Sequence, residues 1–474
     1  MNKRITLFIG LWLGVISFGF SQNTSTTIYS LQDCIDITIE NNLDLKVKEL
    51  RAESSEVNFK EARNKILPSL NMDYNLGINN GRSINPFTNS YINQELTFSN
   101  AGLSLDATIF NGFRIKNEIK QSRFYMQASE MEIEEAKQNL TLEVTLLYIQ
   151  ILNNKDLLDL LKAGLTTTKV QLKRLESQYN NGLGNPATFT DMNGQYTRGQ
   201  MGIIIAENNL KSAVLNLVKI LSIDVDSKDD FENVFEITNI EKYQISANDI
   251  YKDALENLAT FKSKQLRIDA AKMGIKIARS NYFPEISFFG QLNTNYSSVA
   301  QLFTQTEKSI IETGDFVSIS GQDHSVLRNE TQFEGSKINY KDQFDNNLNS
   351  VVGIAVRIPL FNGFRAKNKL RIKKIQHEEA QMDLEQAKLI FKQSIQEAYN
   401  NMEASYKRYQ VLKNQVTAYK ESFCVNEVRF INGVSNIVEY ITSKNNMENS
   451  ELDLSQTKYE YLLRIKILDY YRGI

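Results

Sequence analysis

The chain has 474 residues, with 54 Lys and Arg against 56 Asp and Glu, a net charge of −2 and a pI near 6.0. That balance leaves no basic footprint and argues against nucleic acid as a partner. Apolar residues make up 42%, enough for ordinary burial, and length alone suggests about three domains.

The N-terminus reads Met1-Asn2-Lys3-Arg4, then an apolar run from Ile5 to Phe20 with small residues at Gly19 and Ser21. This pattern predicts a secretory signal peptide over 1–21, cleaved before Gln22. The run is short for a membrane span, which takes about 20 residues. No cysteine follows the cleavage point to carry a lipid anchor. Cys34 and Cys424 are the only cysteines, and they read as two isolated thiols.

Leu31 to Leu67 reads as one helix, free of glycine and proline until Pro68. There the period changes. Leu70, Met72, Tyr74, Leu76 and Ile78 alternate with Asn71, Asp73, Asn75, Gly77 and Asn79, the mark of a strand with one apolar and one polar face. This strand is placed at about 69–79. A polar loop containing Pro86 follows, and alternation returns over 96–110 through Leu103, Leu105, Ala107 and Ile109.

A helical hairpin is predicted over 112–221. Leu140, Val144, Leu147, Ile151, Leu158, Leu161, Leu165, Leu172, Leu175 and Tyr179 keep a heptad spacing that describes a coiled-coil seam. Gly164 is the one breaker before Asn181. At 1.5 Å per residue the helix is on the order of 100 Å long. Asn181-Gly182-Leu183-Gly184-Asn185-Pro186 turns the chain, and a shorter helix returns through Met192, Leu210, Val214 and Leu221.

Residues 222–246 are acidic, with Asp224, Asp226, Asp229, Asp230 and Glu232, and read as a linker packed outside the helices. The chain then begins again. A helix over Ile250–Tyr282 ends near Pro284, strands follow at 285–296 and 347–360, and a second helical hairpin spans 363–470. Its seam is Ala398, Met402, Tyr409, Val416, Tyr419 and Phe423. Between the second pair of strands, about 297–344 is polar and reads as an inserted loop.

The two halves are copies of one unit. Phe110-Asn111-Gly112-Phe113-Arg114-Ile115-Lys116-Asn117 recurs as Phe361-Asn362-Gly363-Phe364-Arg365-Ala366-Lys367-Asn368. Asn181-Gly182 and Asn432-Gly433 lie the same distance apart: 432 − 181 is 251, and so is 362 − 111. Pro68 answers to Pro284 at the shorter offset of 216, so the second copy, 247–474, is longer than the first, 22–221. A duplicated unit overrides the length-based domain count. All five prolines, Pro359 included, fall at junctions, as a residue without an N–H should.

Four strands with a lipid-compatible face are too few to close a barrel, for which about eight is the minimum, and open edges are not tolerated in hydrocarbon. Two readings stand at this point. The hairpins enter a membrane and copies of the chain share one barrel, or they pair into a sandwich within a soluble, non-channel coiled-coil scaffold of the periplasm.

The doubled Phe-Asn-Gly-Phe-Arg junction, the Leu67-Pro68 and Phe283-Pro284 junctions and the two Asn-Gly tips, in this order and spacing, resemble the TolC-like outer-membrane efflux proteins. The resemblance covers about Ile28 to Asp469. It implies a mostly α fold with membrane β-barrel strands, built from a duplicated α-β-β-α unit. It further implies a homotrimer whose 12-stranded outer-membrane β-barrel continues into a long periplasmic α-helical coiled-coil barrel. The implied function is a passive conduit of a tripartite efflux or type I secretion system. Its partners would be outer-membrane lipid, a periplasmic membrane-fusion adaptor and an inner-membrane RND-type or ABC-type pump.

Carried over from that resemblance, the adaptor-contact tips are Tyr179, Asn181 and Gly182, and Phe430, Asn432 and Gly433. The family's gate aspartates fall on Glu439 and Thr442 in the second copy. Thr442 departs from the acidic pattern. In the first copy the acid is Asp191, nine residues after Gly182, as though that tip carried about three extra residues. Glu439 reads equally as a gate or as a solvated helix residue. Pro68, Asn111, Gly112, Arg114, Pro284, Asn362, Gly363 and Arg365 read as structural junctions, with glycine supplying the backbone freedom that the turn needs. The basic run Lys369, Arg371, Lys373 and Lys374 reads as a solvated helix face. His324 and His377 have no metal-ligand partner at useful spacing, and no cofactor is expected. Neither a phosphate-cradling glycine loop nor a nucleophile elbow is present to suggest an enzyme.

Overall fold

A computed structural model describes residues 28–84, 89–93, 95–223, 230–232 and 240–474. The expected signal peptide, Pro86, and Asp224, Asp226 and Asp229 lie outside them. The first copy runs β1 (Ile28–Tyr29), α1 (Leu31–Asn41), α2 (Leu43–Asn64), β2 (Ser69–Asn79), β3 (Arg82–Ile84), β4 (Tyr91–Asn93), β5 (Leu96–Asn111), α3 (Arg114–Asn180) and α4 (Pro186–Leu221). The second follows β6 (Asp230–Phe231) with α5 (Ala247–Asn257), α6 (Ala259–Ser280), β7 (Glu285–Ser297), β8 (Gln301–Ile319), β9 (Gln322–Lys337), α7 (Tyr340–Asn346), β10 (Asn349–Arg357), α8 (Arg365–Ile431) and α9 (Ile437–Arg472). Duplication extends to element lengths: α1 and α5 have 11 residues, α2 and α6 have 22, α3 and α8 have 67, and α4 and α9 have 36.

The chain divides into two units, one of Met1–Lys46, Ala136–Leu258 and Phe391–Ile474, the other of Val47–Glu135 and Ala259–Ile390. Each leading helix, expected to be continuous, is broken by a single extended residue. Asn42 (φ −62°, ψ 122°) separates α1 from α2, and Leu258 (φ −69°, ψ 131°) separates α5 from α6. The Asn42 side chain accepts from the Leu45 N–H at 3.0 Å and so starts the next helix as it ends the last. Leu258, 1% exposed, makes the same break with no polar side chain.

The second unit holds an antiparallel sheet of order β10-β7-β5-β2. Its register puts Met72, Leu103 and Leu292 on one rung, and Leu70, Leu105, Gly290 and Val352 on another. These lie on the apolar face. The opposite face carries the rungs Asn75, Asn100, Asn295 and Asp73, Gly102, Asn293, Asn349. Phe98 lies over Gly77, and Phe289 over Gly353, where any side chain would clash with the ring. On β2 the residues Leu70, Met72, Tyr74, Leu76 and Ile78 are 53–74% exposed, so the alternation seen in the sequence presents a largely open greasy face, met at Tyr74 by the Tyr340 hydroxyl at 3.3 Å.

Strand passes into helix by the same device twice. Gly112 and Phe113 have φ of +66° and +62°, and Gly363 and Phe364 have +63° and +62°. Two consecutive left-handed residues redirect the chain, and the phenylalanine adopts a conformation that costs a residue with a Cβ about 1–2 kcal/mol. Phe113 is held edge-on to Phe110 at 5.3 Å, and Phe364 to Phe361 at 5.5 Å. Asn111 Oδ1 accepts from the Ile115 N–H, and Asn362 Oδ1 from that of Ala366, so each asparagine caps its long helix. The repeated arginines diverge: Arg114 pairs with Glu285 at 3.3 Å, while Arg365 donates from Nε to Asn362 O at 3.1 Å.

Two expectations for the second copy are corrected. The strand predicted to reach residue 360 ends at Arg357. The predicted loop at 297–344 is instead a long β-hairpin, β8 and β9, followed by α7. Its two-residue turn, Ser320-Gly321, has φ of +54° and +81°, the signs demanded by a turn that follows strand twist. Gln343 on α7 is 1% exposed; it accepts from the Ser297 N–H and donates to Ser297 O and Ile338 O, fastening the hairpin's base.

In the first unit a core of Cys34, Val144, Tyr148, Ile149, Leu152, Leu217 and Leu221 joins α1, α3 and α4. Part of the expected linker is ordered against it, since β6 pairs in parallel with β1. The Tyr148 hydroxyl bridges Tyr29 O at 2.8 Å and Glu232 O at 2.7 Å. Lys155 Nζ donates to both carboxylate oxygens of Asp230 at 2.8 and 2.9 Å. The heptad seam of α3 is buried or half-buried as predicted up to Leu175, but Tyr179 is 43% exposed.

Candidate functional site

The two long helices stop in the same way. Gly182 and Gly433 both have φ of +72°. The Gly182 N–H donates to Tyr179 O at 3.0 Å and the Leu183 N–H to Gln178 O at 2.9 Å; Gly433 and Val434 donate likewise to Phe430 O and Arg429 O at 3.1 and 2.8 Å. This pair of bonds satisfies carbonyls left unpaired at a helix C-terminus and requires a left-handed residue where the glycine sits. Asn185 and Asn436 then cap the returning helices, accepting from the Ala187 and Glu439 N–H groups at 2.9 Å each.

These caps correct the reading of the first tip. Each lies three residues after its glycine, so no residues are inserted there. Asp191 is the counterpart of Thr442, and the counterpart of Glu439 is Thr188, which sequence reasoning passed over. The copies therefore carry one acid and one threonine each, in exchanged positions one helical turn apart.

Glu439, Thr442 and Asp191 are all exposed. The Glu439 carboxylate also accepts from Asn436 Nδ2 at 3.2 Å, which closes a reciprocal cap and puts an anion where the helix dipole favours one. Its neighbour Tyr440 is fully buried among Leu175, Met192, Phe423 and Phe430, with its ring stacked on Phe430 at 4.7 Å. Burial pushes the Tyr440 phenol up, with Glu427 and Glu448 adding to the shift. Phe430 was expected to be a contact residue of the tip. It is 9% exposed and packs in the core beneath the tip, where Tyr440 stacks on it. Asn181, Gly182, Asn432 and Gly433 are exposed, and Tyr179 stacks flat on Phe189 at 5.4 Å. Arg174 donates to Ile431 O and ties the two hairpins together near their ends.

Further along the hairpins, Lys444 is 7% exposed and paired with Glu448. The Glu448 carboxylate occupies the space that a side chain on Gly164 would fill, so the lone glycine of α3 is a clearance for an ion pair rather than a break. A cavity of about 230 Å³ adjoins it, lined by Leu161, Leu165, Tyr440 and Lys444 among others.

The model of the family described as "Outer membrane efflux protein" matches residues 34–222 and 250–468, both copies of the unit. The chain belongs to the outer membrane efflux protein family. Outer membrane protein TolC of Escherichia coli (strain K12) is 20% identical over 468 residues, spanning 98% of this chain and 85% of that protein. Toxin and drug export protein A of Aggregatibacter actinomycetemcomitans is 21% identical over 386 residues, 77% and 71% of the two chains. The fold is similar to that of the Campylobacter jejuni CmeC outer membrane channel, with a TM-score of 0.74 at 16% identity over 100% of this chain and 94% of the other. It is similar also to the outer membrane protein VceC of Vibrio cholerae, at 0.72 and 13% over 94% and 96%.

As an outer membrane efflux protein, the chain is a channel component resident in the outer membrane, with its helical part in the periplasm. Membership of that family sets the soluble-scaffold reading aside. No helix among the described residues is long and apolar enough to cross a membrane.

Proposed function

We propose that three copies share one twelve-stranded barrel and form a passive conduit with no catalytic step of its own. The observation that carries this is the sheet with two open edges, β2 and β10. Because all its pairings are antiparallel and its strands number four, β10 of one copy meets β2 of the next in the same antiparallel sense, and closure needs no change of hand. Closure removes unpaired backbone from hydrocarbon. The apolar rungs then face lipid and the asparagine rungs face water inside the barrel.

The helical hairpins form the periplasmic tunnel, and their tips meet a membrane-fusion adaptor that connects to an RND-type or ABC-type pump. Asn181-Gly182 and Asn432-Gly433 supply the contact surface. Glu439 and Asp191, one on each hairpin of every protomer, form two acidic rings that favour cations at the periplasmic entrance.

The test is native mass after detergent extraction, followed by conductance in planar bilayers. A mass of three protomers and a loss of cation preference in Glu439→Gln with Asp191→Asn support the reading. A monomer defeats the shared barrel. A trimer whose selectivity ignores both substitutions removes the acids from the gate.

A further inference from the structure

The inserted hairpin has no role in a closed barrel of four strands per protomer. Within the chain β8 and β9 pair with each other and with no further strand among the described residues, over registers from Gln301–Lys337 to Ile319–Gln322. An isolated two-stranded ribbon is marginally stable at best in water. At about 3.4 Å per residue, 19 residues of β8 reach on the order of 60 Å. Such a ribbon needs a partner that is always present.

The register identifies the face. Phe303, Ile310 and Phe316 on β8 fall on the same side as Leu327 and Phe333 on β9, so all three phenylalanines of the hairpin lie together. These five residues are 57–67% exposed. The other side carries Leu302, Ile311, Val317 and Ile319 interleaved with Glu307, Arg328, Glu330 and Glu334. Lys308, Glu312 and Asp323 lie on the phenylalanine side itself, which distinguishes the ribbon from β2 and β10, whose apolar faces carry no charge. Hydrocarbon is therefore a poor partner for it.

Its base is hydrogen-bonded to the sheet at the end of β7, one strand in from the open edge. Ala300 is 2% exposed, its carbonyl accepts from the Ile338 N–H at 3.3 Å, and the Ser298 N–H bonds Thr97 O at 2.9 Å. The ribbon leaves the sheet between β7 and β10, and β10 is the edge that a neighbouring copy covers.

We infer that β8–β9 is a subunit-association element: the phenylalanine-bearing faces of the hairpins of neighbouring copies pack on one another at the outer end of the conduit. The occupant of this face is a second copy of the chain, and the inference rests on the trimer reading above. Packing three such faces removes the aromatic rings from water and gives each ribbon the permanent cover that its regular pairing requires.

Single-cysteine cross-linking of the full-length protein tests it, in a Cys34→Ala, Cys424→Ser background reconstituted in phosphatidylcholine vesicles. Phe316→Cys, and Ile310→Cys as a second site on the same face, are expected to give disulfide-linked dimers of the chain under mild oxidation. The yield should be several-fold above that of Arg328→Cys on the opposite face. Native mass of the reduced samples separates the two readings. Failure to form a trimer at all defeats the shared barrel. A trimer in which neither thiol cross-links, or in which Arg328→Cys links equally well, overturns the hairpin assignment. So does quenching of a fluorophore on the Phe316→Cys thiol by brominated phosphatidylcholine, since lipid would then cover the face.

Discussion

Burial pushes the Cys34 thiol up to about 12, with the neighbouring Asp33 carboxylate adding to the shift, whereas Cys424 is exposed. An unfolded thiol loses its proton near 8.5. Cys34 therefore contributes fully below that pH, and its contribution falls as pH rises from about 8.5 towards 12, where the unfolded chain holds fewer protons. At pH 8.5 a thiol reagent is expected to modify one cysteine in the folded protein and two in denaturant; two in the folded state would place Cys34 at the surface. The Asn-Gly tips were legible at this scale because only glycine adopts a left-handed cap cheaply. Gly164 was not, since its reason, the Glu448 carboxylate, comes from another helix.

Among the elements, heptads and alternation marked the long helices and the four sheet strands, because each has one buried or lipid-facing side. The hairpin β8–β9 was missed for the complementary reason. Apolar and charged residues occupy both of its faces, so no clean period of two survives, and Ser320-Gly321 was the one local signal. The breaks at Asn42 and Leu258 were equally hidden, since one extended residue barely disturbs a helical pattern. Tyr148 joins β1 and β6 through two carbonyls that no periodicity could pair. Tyr148→Phe leaves them without that donor and is expected to cost about 1–3 kcal/mol. A lowered melting temperature, with faster proteolysis within 222–246, would show it; an unchanged digestion pattern would mean the strand pair is held by other contacts.

For the whole molecule, the decisive quantity is the uncovered apolar face of the sheet. Leu76→Arg puts a charge on the lipid side and is expected to cost about 2–4 kcal/mol if it lies near the bilayer midplane, visible as loss of trimer in detergent extracts. Asn75→Arg, one residue away on the polar face, should assemble normally and alter conductance only. If both variants assemble equally well, the assignment of faces is wrong.

The amino-acid sequence by itself determined the duplication, the order and period of its elements and the left-handed turns at its tips and junctions, because these depend on neighbours within a few positions. The structure decided that the tips share one register, with Thr188 the counterpart of Glu439, that Phe430 is core, and that residues taken for a loop pair over two long strands. Each of these rests on particular contacts, the Asn185 and Asn436 cap bonds, the Tyr440 ring on Phe430 and the pairing of β8 with β9, and side-chain periodicity carries no record of them.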